Sequence, residues 1–277
     1  MQKSKKTQGE KAPNVEERSG WRHLLLPFKA VKWIYTKVRE KQQEAEIKKM
    51  KPKSMPSCQD FAVLDTIKGK IDDFNSLLGG ESKIGIIIGA RGTGKSALGM
   101  RILENVRAKT KKKVYAMGFD TRKVPEWIEI VDSIEQIKNN SFILIDESGI
   151  NFSSRESMSS GNKLLSDLMF IARHKNLSIL FITQNSSNIE INTLRQADYL
   201  LLKPSSLLQM DFERKVVKEI YEEVEKKFDK FQEPGTTYIY SDKFRGFIKN
   251  DLPSFWSDGL SKSFSGFSES KEEKNDK

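Results

Sequence analysis

The stretch Gly89-Ala90-Arg91-Gly92-Thr93-Gly94-Lys95-Ser96 fits G-x-x-x-x-G-K-[ST], the phosphate-binding loop, or Walker A motif. Its setting fits as well. The apolar run Ile84-Gly85-Ile86-Ile87-Ile88 enters it as a buried strand, and Ser96 to Leu103 leaves it as a helix. Glycines let the backbone turn its N–H groups toward a polyphosphate, and the start of the helix adds a partial positive charge there. The expected ligand is a nucleoside triphosphate with Mg²⁺. The cradle runs from Gly89 through Ser96 to Ala97. Lys95 is expected on the β- and γ-phosphates and Ser96 on the metal.

About 50 residues downstream of the loop, Phe142-Ile143-Leu144-Ile145 ends in Asp146-Glu147. An apolar strand ending in an acid suits a Walker B site, with Asp146 helping to hold the metal. Glu147, at the strand's C-terminal end, is placed to polarise an attacking water as general base. A third apolar strand, Leu177 to Thr183, ends in Gln184-Asn185. An amide at that tip either senses the γ-phosphate and positions water or caps a turn.

The order is therefore a phosphate-loop strand, an edge strand at Val114–Met117, an Asp-Glu strand and a strand ending in Gln. This resembles the P-loop NTPases that carry an additional strand and a catalytic glutamate. Within them it is most similar to the HerA–FtsK superfamily, specifically the small viral genome-packaging ATPases and the zonula-occludens-toxin-like ATPases of filamentous phages. The residues carrying the resemblance are Gly89–Ser96, Ile143–Glu147 and Ala172–Gln184, where Arg173-His174 precedes an apolar strand ending in Thr-Gln. Asn192–Asp198 before Tyr199-Leu200-Leu201-Leu202 continues it, and the likeness spans about residues 84–203. It implies an α/β fold with a central, mostly parallel sheet and helices on both faces. It also implies ATP as the nucleotide and a homo-oligomeric ring acting on double-stranded DNA, with an arginine finger from a neighbouring subunit. Arg173 matches the family's Arg-His position and is the first candidate finger; Arg155 is the second, and Arg195 a third.

Other P-loop classes fit less well. A GTPase wants Asn-Lys-x-Asp, and Asn162-Lys163-Leu164-Leu165 lacks the acid. An ABC ATPase carries Ser-Gly-Gly after the loop, whereas Gly79-Gly80 precedes it.

Charge divides the chain. Residues 1–56 hold 15 Lys/Arg against 6 Asp/Glu; the remainder holds 33 against 32. The body is nearly neutral, so any DNA contact there depends on local placement of charge. Residues 1–20 and 261–277 are polar and expected to be disordered. Between 21 and 50 lies a basic segment whose Leu24, Phe28, Val31, Tyr35 and Val38 share one helical face, with Pro27 in the first turn. Such a helix suits a membrane surface, docking on a capsid or portal partner, or packing on its own domain. The stretch 51–57 reads as a linker and 57–260 as the ATPase domain. A single cysteine, Cys58, excludes an internal disulfide, and no apolar run is long enough for a simple membrane-spanning helix. With no signal-peptide pattern at the start, the expected location is cytoplasmic, peripheral to a membrane or at a virion vertex.

Helical spacing of Phe61, Leu64, Ile67, Ile71, Phe74 and Leu78 predicts a helix over 59–78. The basic run Arg107–Lys113 reads as a solvated helix cap, with DNA-phosphate contact as the alternative. A short strand is expected in Pro125–Ile130 and a short helix in Ser133–Lys138. Ser148–Gly161 reads as a loop, either substrate-touching or simply exposed. Leu164, Leu165, Leu168, Phe170 and Ile171 mark a mostly buried helix. One long helix is expected over 208–231, then paired strands at Thr237–Tyr240 and Phe244–Ile248, and an aromatic plug at Leu252–Trp256.

Overall fold

The structure, a computed structural model, describes residues 20–147, 157–257 and 260. The ends expected to be disordered lie outside these residues, apart from Gly20. So do Arg155 and most of the loop after Glu147. The described chain falls into two units, meeting at Lys49–Met50.

The first contributes one helix, α1 (Gly20–Met50). It starts well ahead of Pro27, which therefore lies inside the helix and not in its first turn. Val31, Trp33, Ile34, Tyr35 and Val38 are all exposed. Among the described residues no helix is long and apolar enough to cross a membrane.

The second unit runs β1 (Ala62–Gly69), α2 (Ile71–Gly79), β2 (Ile84–Ile88), α3 (Lys95–Lys109), β3 (Lys113–Met117), β4 (Ile128–Ile130), β5 (Ser141–Asp146), α4 (Ser157–Lys175), β6 (Leu177–Thr183), α5 (Ile191–Gln196), β7 (Tyr199–Leu202), α6 (Leu207–Phe212), α7 (Lys215–Lys230), β8 (Thr236–Ser241) and β9 (Phe244–Lys249). Its nine strands form one sheet in the order β1-β9-β8-β7-β2-β6-β5-β3-β4. All pairings from β7 to β4 are parallel; those of β8 with β7, β9 with β8 and β1 with β9 are antiparallel. This is the mostly parallel α/β sheet of a P-loop NTPase. β6 lies between the phosphate-loop strand and the acidic strand.

Strand alternation fills both faces. Ile87, Leu144 and Ile182 pack with α2 and α3 residues such as Phe74, Leu98 and Leu103. Ile86, Ile88, Ile145 and Phe181 pack on the opposite face with Leu168, Leu194, Val217 and Val224 of α4, α5 and α7. Gly99 brings α3 close to the sheet, because a Cβ there would stand 2.7 Å from a methyl of Leu144.

Several expectations give way. The predicted helix over 59–78 is a strand followed by a shorter helix. Residues 62–69 pair with β9, and Gly69, at φ +77°, lies so close to Lys243 that a Cβ would meet its carbonyl at 1.9 Å. A partner strand far along the chain outweighs local helical spacing. β3 is not the edge, since β4 pairs outside it, and the expected helix at 133–138 is a single 3₁₀ turn, Ile134–Gln136.

The long helix over 208–231 is two, because Ser186 breaks it. Buried Glu213 accepts hydrogen bonds from the Ser186 N–H, at 2.8 Å, and from its hydroxyl. The Arg214 N–H donates to the same hydroxyl at 2.8 Å, holding Arg214 extended. On α4, Leu168 is buried but Phe170 is exposed. Lys112, expected in a solvated cap, is buried and donates to the Gly80 carbonyl and to Ser178 Oγ.

Other expectations hold. The β8–β9 hairpin forms, and buried Phe255 plugs the body, its ring edge-on to Trp127 at 5.4 Å. The Pro-containing stretch after α1 is fastened to the body at its far end. The Trp127 indole donates to the Ser54 carbonyl at 2.9 Å, and Ser57 bonds to Glu104 of α3. Glu104 is fully buried, pairs with Arg101 at 2.8 Å and also holds Ser254.

Candidate active site

β2, β6 and β5 end level with one another: Ile88 pairs with Thr183, and Ile182 with Asp146. The phosphate loop, both acids and Gln184 gather at that edge. The loop leaves β2 through Gly89, whose missing side chain lets Lys203 approach; a Cβ would stand 2.5 Å from that of Lys203. The Ala90 N–H donates to the Pro204 carbonyl at 3.0 Å, tying the loop to the end of β7. Gly92 and Gly94 adopt φ of +82° and +84°, which only glycine takes without strain, and Cβ atoms there would point into open space. Thr93 closes the turn, its hydroxyl donating to the Ala90 carbonyl at 2.7 Å. α3 starts with Gly94 as its cap, and its first internal bond is Leu98 N–H to the Gly94 carbonyl at 3.0 Å. The N–H groups of Lys95, Ser96 and Ala97 therefore have no partner within the helix and are available to an anion. Arg91 is exposed at the loop's tip.

Lys95 is buried. Its Nζ donates to the carbonyls of Gly89 and Ala90 at 2.8 and 2.9 Å, folded back across the loop it serves. Burial pushes its pKa down, and the Asp146 carboxylate partly offsets that. The Ser96 hydroxyl donates to Asp146 Oδ2 at 2.8 Å. A hydroxyl and a carboxylate at that distance fit Mg²⁺, a hard cation that keeps water ligands and takes the rest from phosphate oxygens. Among the described residues no group of three or more His, Cys, Asp or Glu could hold a metal. The donor set fits an ion that arrives with a nucleotide.

Glu147 accepts the Thr183 hydroxyl at 2.6 Å and is also bonded by the Asn188 side chain. Burial raises its pKa; these two hydrogen bonds oppose the rise and Asp146 adds to it. Gln184 is exposed at the tip of β6, its carbonyl receiving the Gln209 amide.

The structure thus brings Lys95, Ser96, Asp146, Glu147 and Gln184 to one edge. It does not bring Arg173 there. Arg173 is exposed in the last turn of α4, where β6 begins. Seven residues of strand separate that edge from the loop, roughly 20 Å at about 3.3 Å per residue. Arg173 does not reach its own chain's phosphates. Arg195 is exposed in the last turn of α5, just before β7 starts.

Sequence reasoning assigned no role to Thr183, Asn188 or Lys203. Lys203 is fully buried, and its Nζ donates to the carbonyls of Gly235 and Thr236 and to Asn250 Oδ1, at 3.0 to 3.2 Å. Burial lowers its pKa to about 7. Tyr221 caps the same corner, its hydroxyl donating to the Lys203 carbonyl at 2.9 Å. A lysine directly after the apolar run of β7 was the available signal.

Fold and site together are those of a P-loop NTPase with a strand inserted between the loop strand and the acidic strand. Residues 95–199 match the family model of zonular occludens toxin (Zot). Among solved structures it is similar to B204, the DNA-packaging ATPase from Sulfolobus Turreted Icosahedral Virus. There the TM-score is 0.41 at 15% identity, covering 62% of this chain and 98% of that one. It is also similar to the genome packaging NTPase B204 of Sulfolobus turreted icosahedral virus 2 in complex with sulfate. That match has a TM-score of 0.43 at 15% identity, over 63% of this chain and 99% of the other. No curated protein matches the chain.

Proposed function

We propose that this protein hydrolyses ATP and couples the reaction to moving double-stranded DNA as a ring of identical subunits, most specifically to package a viral genome. The observation carrying hydrolysis is the meeting of loop and acids across β6: Ser96 lies 2.8 Å from Asp146, and Glu147 is held by Thr183. When bound, Mg²⁺ supplies charge neutralisation at the phosphates. The loop N–H groups and Lys95 bind the phosphates, with Lys95 exchanging its carbonyl partners for phosphate oxygens. Glu147, ionised, takes a proton from water. Gln184 orients that water. Arg173 serves a neighbouring subunit's site, since it lies at the far edge of its own.

The DNA-moving half rests on the resemblance carried by Ala172–Gln184 and on the Zot match. Turnover is expected to rise on adding duplex DNA and to rise with assembly. Glu147→Gln is expected to retain nucleotide binding while turnover falls by roughly 10²–10⁴-fold. Turnover indifferent to DNA, with no DNA affinity at moderate salt, would remove the motor.

A second reading is favoured by the Zot match together with the exposed apolar side chains of basic α1. It is a filamentous-phage-type assembly or secretion ATPase working at a membrane, with residues 21–50 resting on anionic lipid. Co-sedimentation with anionic vesicles, lost on deleting 1–56, is its test; a capsid or portal partner is the other surface those residues suit. A non-motor switch would bind and hydrolyse nucleotide without DNA or ring assembly.

A further inference from the structure

We propose that Gln209, on α6, is a positioning residue for hydrolysis: it fixes the main chain of Gln184 and so aims the Gln184 side chain at the attacking water. The proposal rests on the water-orienting role given to Gln184 above and adds what holds that residue in place. The parallel ladder fixes β6 as far as Thr183, which pairs with Ile88, while Ile182 pairs with Asp146. Gln184 follows immediately and is exposed. A peptide past the last ladder pair needs another partner to fix its plane.

Gln209 supplies that partner from 25 residues away. Its amide nitrogen donates to the Gln184 carbonyl and, at 3.3 Å, to Glu213 Oε1. An amide nitrogen carries two hydrogens, so both donors of this side chain are committed. Each neighbour in the contact is itself fixed. Ser206 caps α6, its hydroxyl accepting the Gln209 N–H at 3.2 Å. Glu213, one helical turn on, is buried, and its other oxygen takes the Ser186 N–H at 2.8 Å. Arg214 closes the clasp, Nε donating to the carbonyls of Ser186 and Ile189 at 3.0 and 3.2 Å. Gln184, Gln209, Glu213 and Ser186 thus form a closed circuit. Turning the Gln184 peptide would break one bond of it and free the amide that Glu213 shares, so the circuit resists the turn. Asn188 lies beyond Ser186, whose bonds to Glu213 and Arg214 do not pass through Gln209. Loss of Gln209 therefore falls on Gln184.

The test is a kinetic cycle on the full-length protein with ATP and Mg²⁺. Gln209→Met keeps the length of the side chain and removes the donor. Gln209 is half-buried, so the core is not opened, and Gln209→Ala repeats the removal with a smaller side chain. For either variant kcat is expected to fall about tenfold, while ATP affinity in calorimetric titration stays within about twofold. Gln184→Ala keeps the carbonyl and loses the side chain; its kcat is expected to fall roughly 10²-fold. The double variant should be no slower than Gln184→Ala alone, because Gln209 acts through that side chain. Gln209→Lys, which restores a donor of similar reach, should recover most of the turnover. A Gln209 that merely stabilises the fold would lower kcat equally in both backgrounds. Parental kcat in the donor-less variants, additive losses, a loss carried by ATP affinity, or a lysine variant as slow as the methionine one overturns the proposal. Gln184→Ala turning over like the parent overturns the water-orienting reading itself, and the proposal falls with it.

Discussion

Thr183 donates its hydroxyl to Glu147 Oε2 at 2.6 Å, so the strand inserted between the loop and the acids also fixes the candidate base. Asn188 holds the same carboxylate. A base that keeps its position between turnovers needs no reorganisation when water arrives. Thr183→Val keeps the shape and removes the donor. A hydrogen bond to a charged group is worth about 1.5–3 kcal/mol, so turnover is expected to fall roughly ten- to hundredfold. ATP affinity should stay near that of the parent, since Thr183 is set against the base and not the loop. Steady-state kinetics beside binding measurements check both.

Burial dominates the titration of Glu147 and raises its pKa above the ordinary 4.5. The base acts when ionised, so kcat/KM should fall as pH drops through a value higher than that of a solvated glutamate. Losing the Thr183 and Asn188 hydrogen bonds, which favour the ionised form, should move that acid limb further up in pH. A pH–rate profile of the parent and of Thr183→Val measures the displacement; a limb that stays fixed or moves down contradicts it.

Lys203 makes a buried cation of the corner supporting the loop. Its pKa is about 7 when folded against an ordinary 10.5. Between these values the unfolded chain binds more protons than the folded one, so this group makes stability rise with pH. Below about pH 7 both states are protonated and the full cost of burying the charge remains. Lys203→Met has no such group. From pH 7 to about pH 9 the parent should gain about 2–3 kcal/mol relative to that variant in urea unfolding. Parallel curves would show that the lysine does not titrate as its surroundings dictate.

Gly85 lies under a ring. A Cβ there would meet Cε2 and Cζ of Tyr199 at 2.1 Å, and that ring is buried edge-on to Phe74 at 5.4 Å. Gly85→Ala is expected to destabilise by about 3 kcal/mol or more, as overpacking of a close-packed core does. Combining it with Tyr199→Leu should cost less than the two changes added, because the collision is between those two residues. Thermal or urea unfolding of the four proteins gives the coupling.

The phosphate loop, the acids at 146 and 147 and the strands leading into both were legible in the sequence. Each is a local signal: glycines where the backbone must take positive φ, and unbroken apolar runs where a strand is buried on both faces. The β8–β9 hairpin was legible for the same reason. Partners distant along the chain decided the rest. Residues 62–69 have helical spacing and became a strand because β9 offered a ladder. A buried knot at Ser186 split the helix expected over 208–231. The placement of β6 between β2 and β5 put Thr183 against Glu147, and the end of β7 put Lys203 beneath Gly89. Residue type and spacing specify what a segment can do. Which side chains meet across a parallel sheet depends on strand order, and that is settled only when separated segments compete to bury the same apolar faces.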